Sequence, residues 1–94
     1  MKKLFIAMVS VMFITISVKA DVFQFINQTS NDYLRYWQVT ISNNSYGYTD
    51  GYGRVHIYLQ SGKYTAILKK NHMRDKIINL QIDGSQNLKV VYVP

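Results

Sequence analysis

The chain contains no cysteine and no glutamate, and its single proline is the last residue, Pro94. Without cysteine there is no disulfide, no thiolate metal ligand and no lipid attached to an N-terminal cysteine. A domain of this size buries only ~60% of the surface of its unfolded chain. Stability must therefore come from packing of apolar and aromatic side chains, or from association with a second copy or a partner.

Side chains for catalysis or metal binding are also few. The chain has two histidines, His56 and His72, and five acidic residues, all of them aspartate. A site of two histidines and one carboxylate would need all three to meet in space. Ser45, Ser61 and Ser85 lie in turn-like polar contexts without the motif of a nucleophile elbow. We therefore expect no enzyme, no metal and no cofactor. An enzyme for a small extracellular substrate is the third hypothesis, and it requires the histidines to cluster with an aspartate.

The first twenty residues have the order of a secretory signal peptide. Two lysines precede an apolar run from Leu4 to Val18, and Ala20 stands directly before Asp21. The run is shorter than the ~20 apolar residues that span a bilayer, which favours a cleaved signal over a membrane anchor. We predict cleavage between Ala20 and Asp21. Residues 21–94 then form one domain of a periplasmic or secreted bacterial protein without a stable membrane anchor.

Cleavage would lower the net charge. The whole chain has a formal charge of +6, and loss of Lys2, Lys3 and Lys19 leaves eight of its eleven basic residues against five acidic ones. The remaining basic residues are scattered, and only Lys69 and Lys70 are adjacent. A weakly basic, solvated surface is the expectation, and nucleic acid is not an expected partner.

Alternation of apolar and polar residues organises the rest of the chain. Two alternating segments flank Ser61 and Gly62, and we predict a β-hairpin from Arg54 to Lys69 with its turn there. A second hairpin is predicted around the pair Asp83-Gly84. The apolar positions of these segments are Val55, Ile57, Leu59, Tyr64, Ala66 and Leu68 in the first, and Ile78, Leu80, Ile82, Leu88, Val90 and Tyr92 in the second.

Two further strands lie upstream. Trp37, Val39 and Ile41 share one face of a strand that is expected to end at residues 43–45, and residues 22–26 form a first strand. No segment after residue 20 shows apolar residues at helical spacing. The predicted fold is all-β, a small antiparallel β-sandwich of about six to seven strands.

The stretch from Thr49 to Tyr64 combines a Thr-Asp-x-x-Gly turn, an alternating strand, and then Gly62 and Tyr64. It resembles the signature of carboxypeptidase regulatory-like domains, a transthyretin-like (prealbumin-like) group of β-sandwiches. The residues suit these positions physically. Asp50 can cap its own turn, and Gly53 can adopt the left-handed conformation that closes it. Tyr64 can bury its ring while its hydroxyl finds a partner at the edge of the domain.

The resemblance implies an accessory, adhesive or binding module and not a catalyst. The chain departs from the pattern at Ser61, where a proline is common, and in its first strand, which lacks the usual glycine. The enzymatic branch of the group, the hydroxyisourate hydrolases, ends in Tyr-Arg-Gly-Ser. This chain ends in Tyr92-Val93-Pro94, so that branch is not expected.

Aromatic residues crowd into the segment 33–52. We predict Trp37 as a core residue because it shares its register with Val39. Tyr46, Tyr48 and Tyr52 fit either a binding surface or loop packing, and they are our candidate binding residues. The leading hypothesis is an exported, non-catalytic binding or structural module that contacts a protein. The alternative is a carbohydrate- or cell-wall-binding domain that uses exposed aromatics. The C-terminal strand is a plausible edge through which a homodimer could form.

Overall fold

The computed structural model describes residues 19–94, which fold into two β-sheets without a helix. One sheet has the strand order β4-β1-β7 and the other has the order β3-β2-β5-β6. This confirms the all-β fold. The strands are β1 (Ala20–Asn27), β2 (Gln38–Ile41), β3 (Asn44–Tyr48), β4 (Arg54–Tyr58), β5 (Gly62–Lys69), β6 (Lys76–Ile82) and β7 (Leu88–Val93).

The two sheets bury one side of each alternating strand between them. Trp37 is 3% exposed, so its prediction as a core residue is confirmed. Each such large apolar side chain stabilises the fold by ~1.5–3 kcal/mol when it is fully buried. The buried apolar residues are Phe23, Phe25, Leu34, Trp37, Val39, Ile41, Val55, Ile57, Ala66, Leu68, Ile78, Leu80, Ile82 and Val93.

Neither predicted hairpin forms, although the strands themselves are present. β4 pairs with β1, whereas β5 pairs with β2 and β6, so the connection at residues 59–61 crosses from one sheet to the other. In the same way β6 pairs with β5, while β7 pairs with β1. A turn signal indicates where a strand ends but not which strand the next one pairs with. Both connections here close an end of the sandwich, and the apolar faces of the joined strands meet across the core.

The sheets are not purely antiparallel. β7 runs parallel to β1, with Val22 opposite Leu88 and Asn27 opposite Val93. The other strand pairs are antiparallel within the described part of the chain. A parallel pair needs a long crossover connection, and here the strands from β2 to β6 provide it.

The chain forms a hairpin where the sequence predicted only the end of a strand. β2 continues through Ser42 and Asn43 into β3. The φ angles of these two residues are 52° and 66°. Positive φ at both central residues is the geometry of the two-residue turns that match strand twist. The strand therefore ends close to the predicted residues 43–45, but the sequence did not predict that Asn44 begins a new strand.

The last strand, β7, buries the face opposite to the one that its alternation predicted. Leu88, Val90 and Tyr92 are 44%, 46% and 58% exposed, whereas Val93 is buried. Both faces of this strand carry apolar residues, so alternation alone does not choose between them. Lys89 decides the orientation, because its ammonium group turns inward to meet a buried carboxylate.

That carboxylate belongs to Asp21, whose side chain is fully buried. Its Oδ2 accepts the backbone N–H of Asp83 at 3.0 Å, and its Oδ1 accepts that of Gly84 at 2.9 Å. Lys89 Nζ donates to Asp21 and also to Asp83, the latter at 2.7 Å. Asp21 thus ties β1, the β6–β7 connection and β7 together.

Both ends of this ion network favour the charged state. Burial lowers the pKa of Lys89, but the two aspartate carboxylates outweigh burial and raise it above its usual value. The hydrogen bond from Lys89, supported by the backbone N–H of Ser85, lowers the pKa of Asp83 well below its usual range. Lys89 and Asp83 are therefore both charged at neutral pH.

The predicted signal peptide lies outside the described residues, except for Lys19 and Ala20. Ala20 is the first residue of β1 and is paired with Tyr58. The predicted cleavage site therefore falls between the first two residues of β1. The part of the chain that the structure describes contains no helix long and apolar enough to cross a membrane.

Candidate binding surface

Three connections meet at one end of the sandwich, which we call the loop end. They are residues 28–37, 49–53 and 70–75. Backbone and side-chain hydrogen bonds join them: Tyr36 N–H donates to Thr49 O at 3.1 Å, and Arg35 Nε donates to Gly51 O at 3.0 Å. Lys70 Nζ donates to Arg35 O at 2.9 Å. The loop end is therefore a cross-linked unit and not three separate loops.

Thr49 anchors the first of these connections to the second. Its hydroxyl donates to Leu34 O at 2.6 Å and accepts the N–H of Trp37 at 2.9 Å. Its backbone N–H donates to Trp37 O at 2.8 Å, and its carbonyl accepts the N–H of Tyr36 at 3.1 Å. Thr49 is 1% exposed, so these bonds are shielded from water.

Replacing Thr49 with valine is expected to lower the free energy of unfolding by about 2–4 kcal/mol. Valine keeps the shape but leaves the carbonyl of Leu34 and the N–H of Trp37 without partners, at ~1–3 kcal/mol each. Serine at position 49 keeps the hydroxyl and is the matched control, with only the loss of one methyl group. Urea unfolding followed by Trp37 fluorescence measures both variants. Equal loss from valine and serine would assign the effect to the methyl group instead.

Asp50 and Gly53 build the turn that follows. Asp50 Oδ1 accepts the N–H of Tyr52 at 2.8 Å and that of Arg54 at 3.0 Å. These two bonds, with the Arg54 bond the larger cause, lower the pKa of Asp50. Gly53 has φ +74°, and a Cβ there would stand 2.6 Å from Phe25 O. The side-chain cap and the left-handed glycine expected from the sequence are both present.

Two tyrosine rings contact each other across this turn, and an arginine side chain lies beside each ring. The rings of Tyr33 and Tyr52 meet edge to face with their centroids 6.2 Å apart. The guanidinium of Arg35 lies 5.9 Å from the Tyr33 ring, and that of Arg54 lies 5.7 Å from the Tyr52 ring. Such contacts hold long side chains in defined positions at an exposed site. We call these four residues the arginine–tyrosine ladder.

A shallow cleft of about 590 Å³ lies beside the ladder. Tyr36 and Tyr48 line it and are 62% and 64% exposed. The Tyr36 hydroxyl also reaches the turn, since it lies 3.2 Å from the position of a Cβ on Gly51. The other lining residues are polar or charged, namely Gln38, Lys69, Lys70, Asn71, His72 and Asp75.

The basic side chains of the loop end are not neutralised by ion pairs. Within residues 19–94, the salt bridges join Lys89 to Asp21 and Asp83. Arg35, Arg54 and Lys69 therefore have no carboxylate oxygen of that part of the chain within 4.0 Å. The loop end therefore carries exposed aromatic rings beside guanidinium groups that form no ion pair within residues 19–94.

The structure separates the three candidate tyrosines. Tyr46 is partly buried and packs against the core, while Tyr48 lines the cleft and Tyr52 belongs to the ladder. Sequence reasoning did not assign Tyr33, Tyr36, Arg35 and Arg54 to this surface. The signal that could have found them is the close spacing of arginine and tyrosine in residues 33–36 and 52–54.

Gly62 and Tyr64 lie at the opposite end of the sandwich. The Tyr64 hydroxyl donates to Gln60 O at 2.8 Å, which is the edge partner expected for it. A Cβ on Gly62 would stand 3.6 Å from the Tyr64 ring, so the ring covers the start of β5. These two residues stabilise the connection from β4 to β5 and do not belong to the loop end.

The two histidines lie in different elements of the fold. His56 is exposed on β4, and His72 is exposed in the β5–β6 connection. Among residues 19–94, no group of three histidine, cysteine or acidic side chains is arranged to hold a metal ion.

The fold and this surface define a class of protein: a small two-sheet β-sandwich that presents cross-linked loops rich in tyrosine and arginine at one end. No model of a known protein family matches the chain, and no curated protein matches it with significant similarity.

Proposed function

We propose that this chain is an exported, non-catalytic binding module that contacts a protein partner through the loop end. The observation that carries the proposal is the arginine–tyrosine ladder, whose guanidinium groups form no ion pair within residues 19–94. Tyrosine and arginine are the residue types that, with tryptophan, most often dominate the energy of protein interfaces. In the ladder both types are exposed, adjacent and held in place.

The rigidity of the loop end supports binding further. Association is opposed by the entropy lost when mobile side chains and loops become ordered, at ~0.5–1.5 kcal/mol for each long side chain. Here the hydrogen bonds of Thr49, Asp50 and Arg35 hold the loops before any partner arrives. A larger share of the contact energy therefore remains as affinity.

The two guanidinium groups of the ladder indicate the chemistry of the partner. Arg35 and Arg54 lie at the two ends of the ladder with no carboxylate of residues 19–94 within 4.0 Å. A guanidinium binds a carboxylate through two parallel hydrogen bonds, which favours an acidic partner surface. The Tyr33 and Tyr52 rings between them suit an apolar side chain of that surface.

We also propose that the domain belongs to the carboxypeptidase regulatory-like, transthyretin-like group, and that its N-terminal segment is a cleaved signal. The support is the turn signature, whose Thr49, Asp50 and Gly53 make the bonds and the left-handed backbone that such a turn requires. The arrangement in two sheets agrees with this group at the level of a β-sandwich.

A glycan is the second candidate ligand, and the cleft favours it. Tyr36 and Tyr48 provide exposed rings for a sugar face, while the amide and charged groups around them suit sugar hydroxyls. Under this alternative the protein would bind the cell wall or an extracellular polysaccharide. The cleft and the ladder can be tested separately.

The test is a pull-down from the envelope extract of the source cell with the full chain as bait. We compare Tyr52→Ala and Arg54→Ala, which disrupt the ladder, with Tyr58→Ala, whose ring is equally exposed at the other end of β4. For a protein partner we expect each ladder variant to weaken binding about 10- to 30-fold, as the loss of ~1.5–2 kcal/mol implies, and Tyr58→Ala to leave it unchanged.

The same variants decide between the two candidates. Retention on insoluble cell wall that is lost in Tyr36→Ala and Tyr48→Ala, but not in the ladder variants, would replace the protein partner with a glycan. A partner protein that binds all variants equally well would show that the loop end is not the contact surface.

A further inference from the structure

β7 is an edge strand, and it lacks the features that usually prevent edge strands from pairing with another chain. Native edges are blunted by charges, bulges, short strands or proline. β4 exposes Arg54 and His56, and β3 is short and has a register shift against β2. The solvent-facing residues of β7 are Leu88, Val90 and Tyr92, all apolar or aromatic and 44–58% exposed.

The same three residues carry the free backbone groups of the edge. Gln28 N–H donates to Val93 O at 2.8 Å, so the carbonyl of Val93 points towards β1. Backbone groups of successive residues in a strand point to opposite sides. Lys89, Val91 and Val93 therefore bond to β1, while Leu88, Val90 and Tyr92 direct their N–H and C=O groups to the open edge.

The usable part of this edge is bounded on both sides. Pro94 would be the next residue to face the open edge, and it has no N–H to donate. Before the strand, Gln86 has φ 65°, which is not an extended conformation. The open edge thus consists of Leu88, Val90 and Tyr92, with Val90 at its centre.

We propose that two copies of this chain pair through β7 in an antiparallel manner, with Val90 opposite Val90 of the second copy. The result is one continuous sheet with the strand order β4-β1-β7-β7-β1-β4. Leu88 then stands opposite Tyr92 of the other copy, and the three facing pairs exchange about six backbone hydrogen bonds. Apolar and aromatic cross-strand pairs of this kind stabilise a sheet by ~0.2–1 kcal/mol each.

Charge selects a second copy as the occupant. The one charged residue of β7 is Lys89, and it turns inward to Asp21 and Asp83. Two copies of the edge therefore meet without like-charge repulsion. The pairing leaves the loop end uncovered, so it is independent of the proposed function.

Single cysteines test the pairing and its register, because the chain has no cysteine of its own. Val90→Cys is expected to form a covalent dimer on mild oxidation, seen on a non-reducing gel. Leu88→Cys is the register control: in the proposed register it lies ~13 Å along the strand from its counterpart, beyond the reach of a disulfide. A cross-link from Leu88→Cys and none from Val90→Cys would overturn the register.

A charge at the twofold axis tests the dimer itself. Light scattering of the full chain is expected to give twice the mass of one chain. Val90→Lys places two lysines face to face and is expected to weaken the dimer about 100-fold, since such a juxtaposition costs several kcal/mol. Ile77→Lys, on the β6 edge and 67% exposed, is the matched control and should remain dimeric. A wild-type chain that stays monomeric at millimolar concentration would overturn the proposal, as would a dimer that Val90→Lys leaves intact. Circular dichroism checks that both variants fold.

Discussion

Replacing Asp21 with alanine is expected to lower the free energy of unfolding by about 3–5 kcal/mol, the cost of removing one partner of a buried ion pair. The carboxylate has no exposure and accepts from two backbone N–H groups and from Lys89. Its removal leaves the N–H groups of Asp83 and Gly84 without their acceptor, and Lys89 keeps only its bond to Asp83. Small domains have ~5–15 kcal/mol of stability in total, so this one contact decides a fifth or more of it.

The expected effect also has a clear location. Asp21 holds the β6–β7 connection against β1, although 62 residues separate it from Asp83. Loss of the clamp frees the start of β7, and hydrogen exchange should rise first at residues 83–89. Urea unfolding and hydrogen exchange together measure the size and the site of the change.

Two further variants serve as controls for this prediction. Asp32→Ala removes an exposed carboxylate of the same type and is expected to change stability by less than about 0.5 kcal/mol. Lys89→Met removes the ammonium but keeps both backbone bonds to Asp21. It leaves a buried carboxylate without its counter-ion and should destabilise strongly too. An Asp21→Ala variant as stable as Asp32→Ala would contradict the clamp.

Gly53→Ala is expected to cost about 3 kcal/mol or more. Gly53 has φ +74°, and an L-residue pays ~1–2 kcal/mol in this left-handed region. In addition, the new Cβ would lie 2.6 Å from the carbonyl oxygen of Phe25. That oxygen cannot move away without a cost, because it accepts the N–H of Leu34 at 2.9 Å. Relief of the clash must shift either β1 or the first loop of the loop end.

Gly47→Ala separates the two causes. Gly47 has φ +101°, but a Cβ there meets nothing within 4 Å, so only the conformational cost of ~1–2 kcal/mol remains. Thermal unfolding of both variants gives the difference. Because the Tyr33 Cβ also lies 3.4 Å from the added carbon, Gly53→Ala should weaken partner binding as well, while Gly47→Ala should not. Equal destabilisation by the two variants would show that the close approach to Phe25 is relieved without cost.

The candidate site could be predicted in part because local rules govern part of it. The cap of Asp50 and the left-handed turn at Gly53 involve partners at most four residues away. Such bonds depend on residue type and short spacing. The ladder could not be predicted in this way, since Tyr33 and Tyr52 meet only after Thr49 has drawn the first loop to the second. For Tyr46 the sequence left a binding surface and packing open, because its partial burial depends on contacts with a core built from distant strands.

The sequence by itself determined that the domain is all-β, where most of its strands lie, and that Trp37 joins the core. These follow from the period of two, from turn residues and from residue size, each of which acts over a few neighbouring positions. Only the tertiary structure decided which strands pair, which face of β7 is buried and which side chains share the loop end. Those outcomes depend on contacts between residues far apart in the chain. The Asp21–Lys89 pair shows this best: a buried carboxylate 68 residues away turns Lys89 inward and leaves Leu88, Val90 and Tyr92 on the surface.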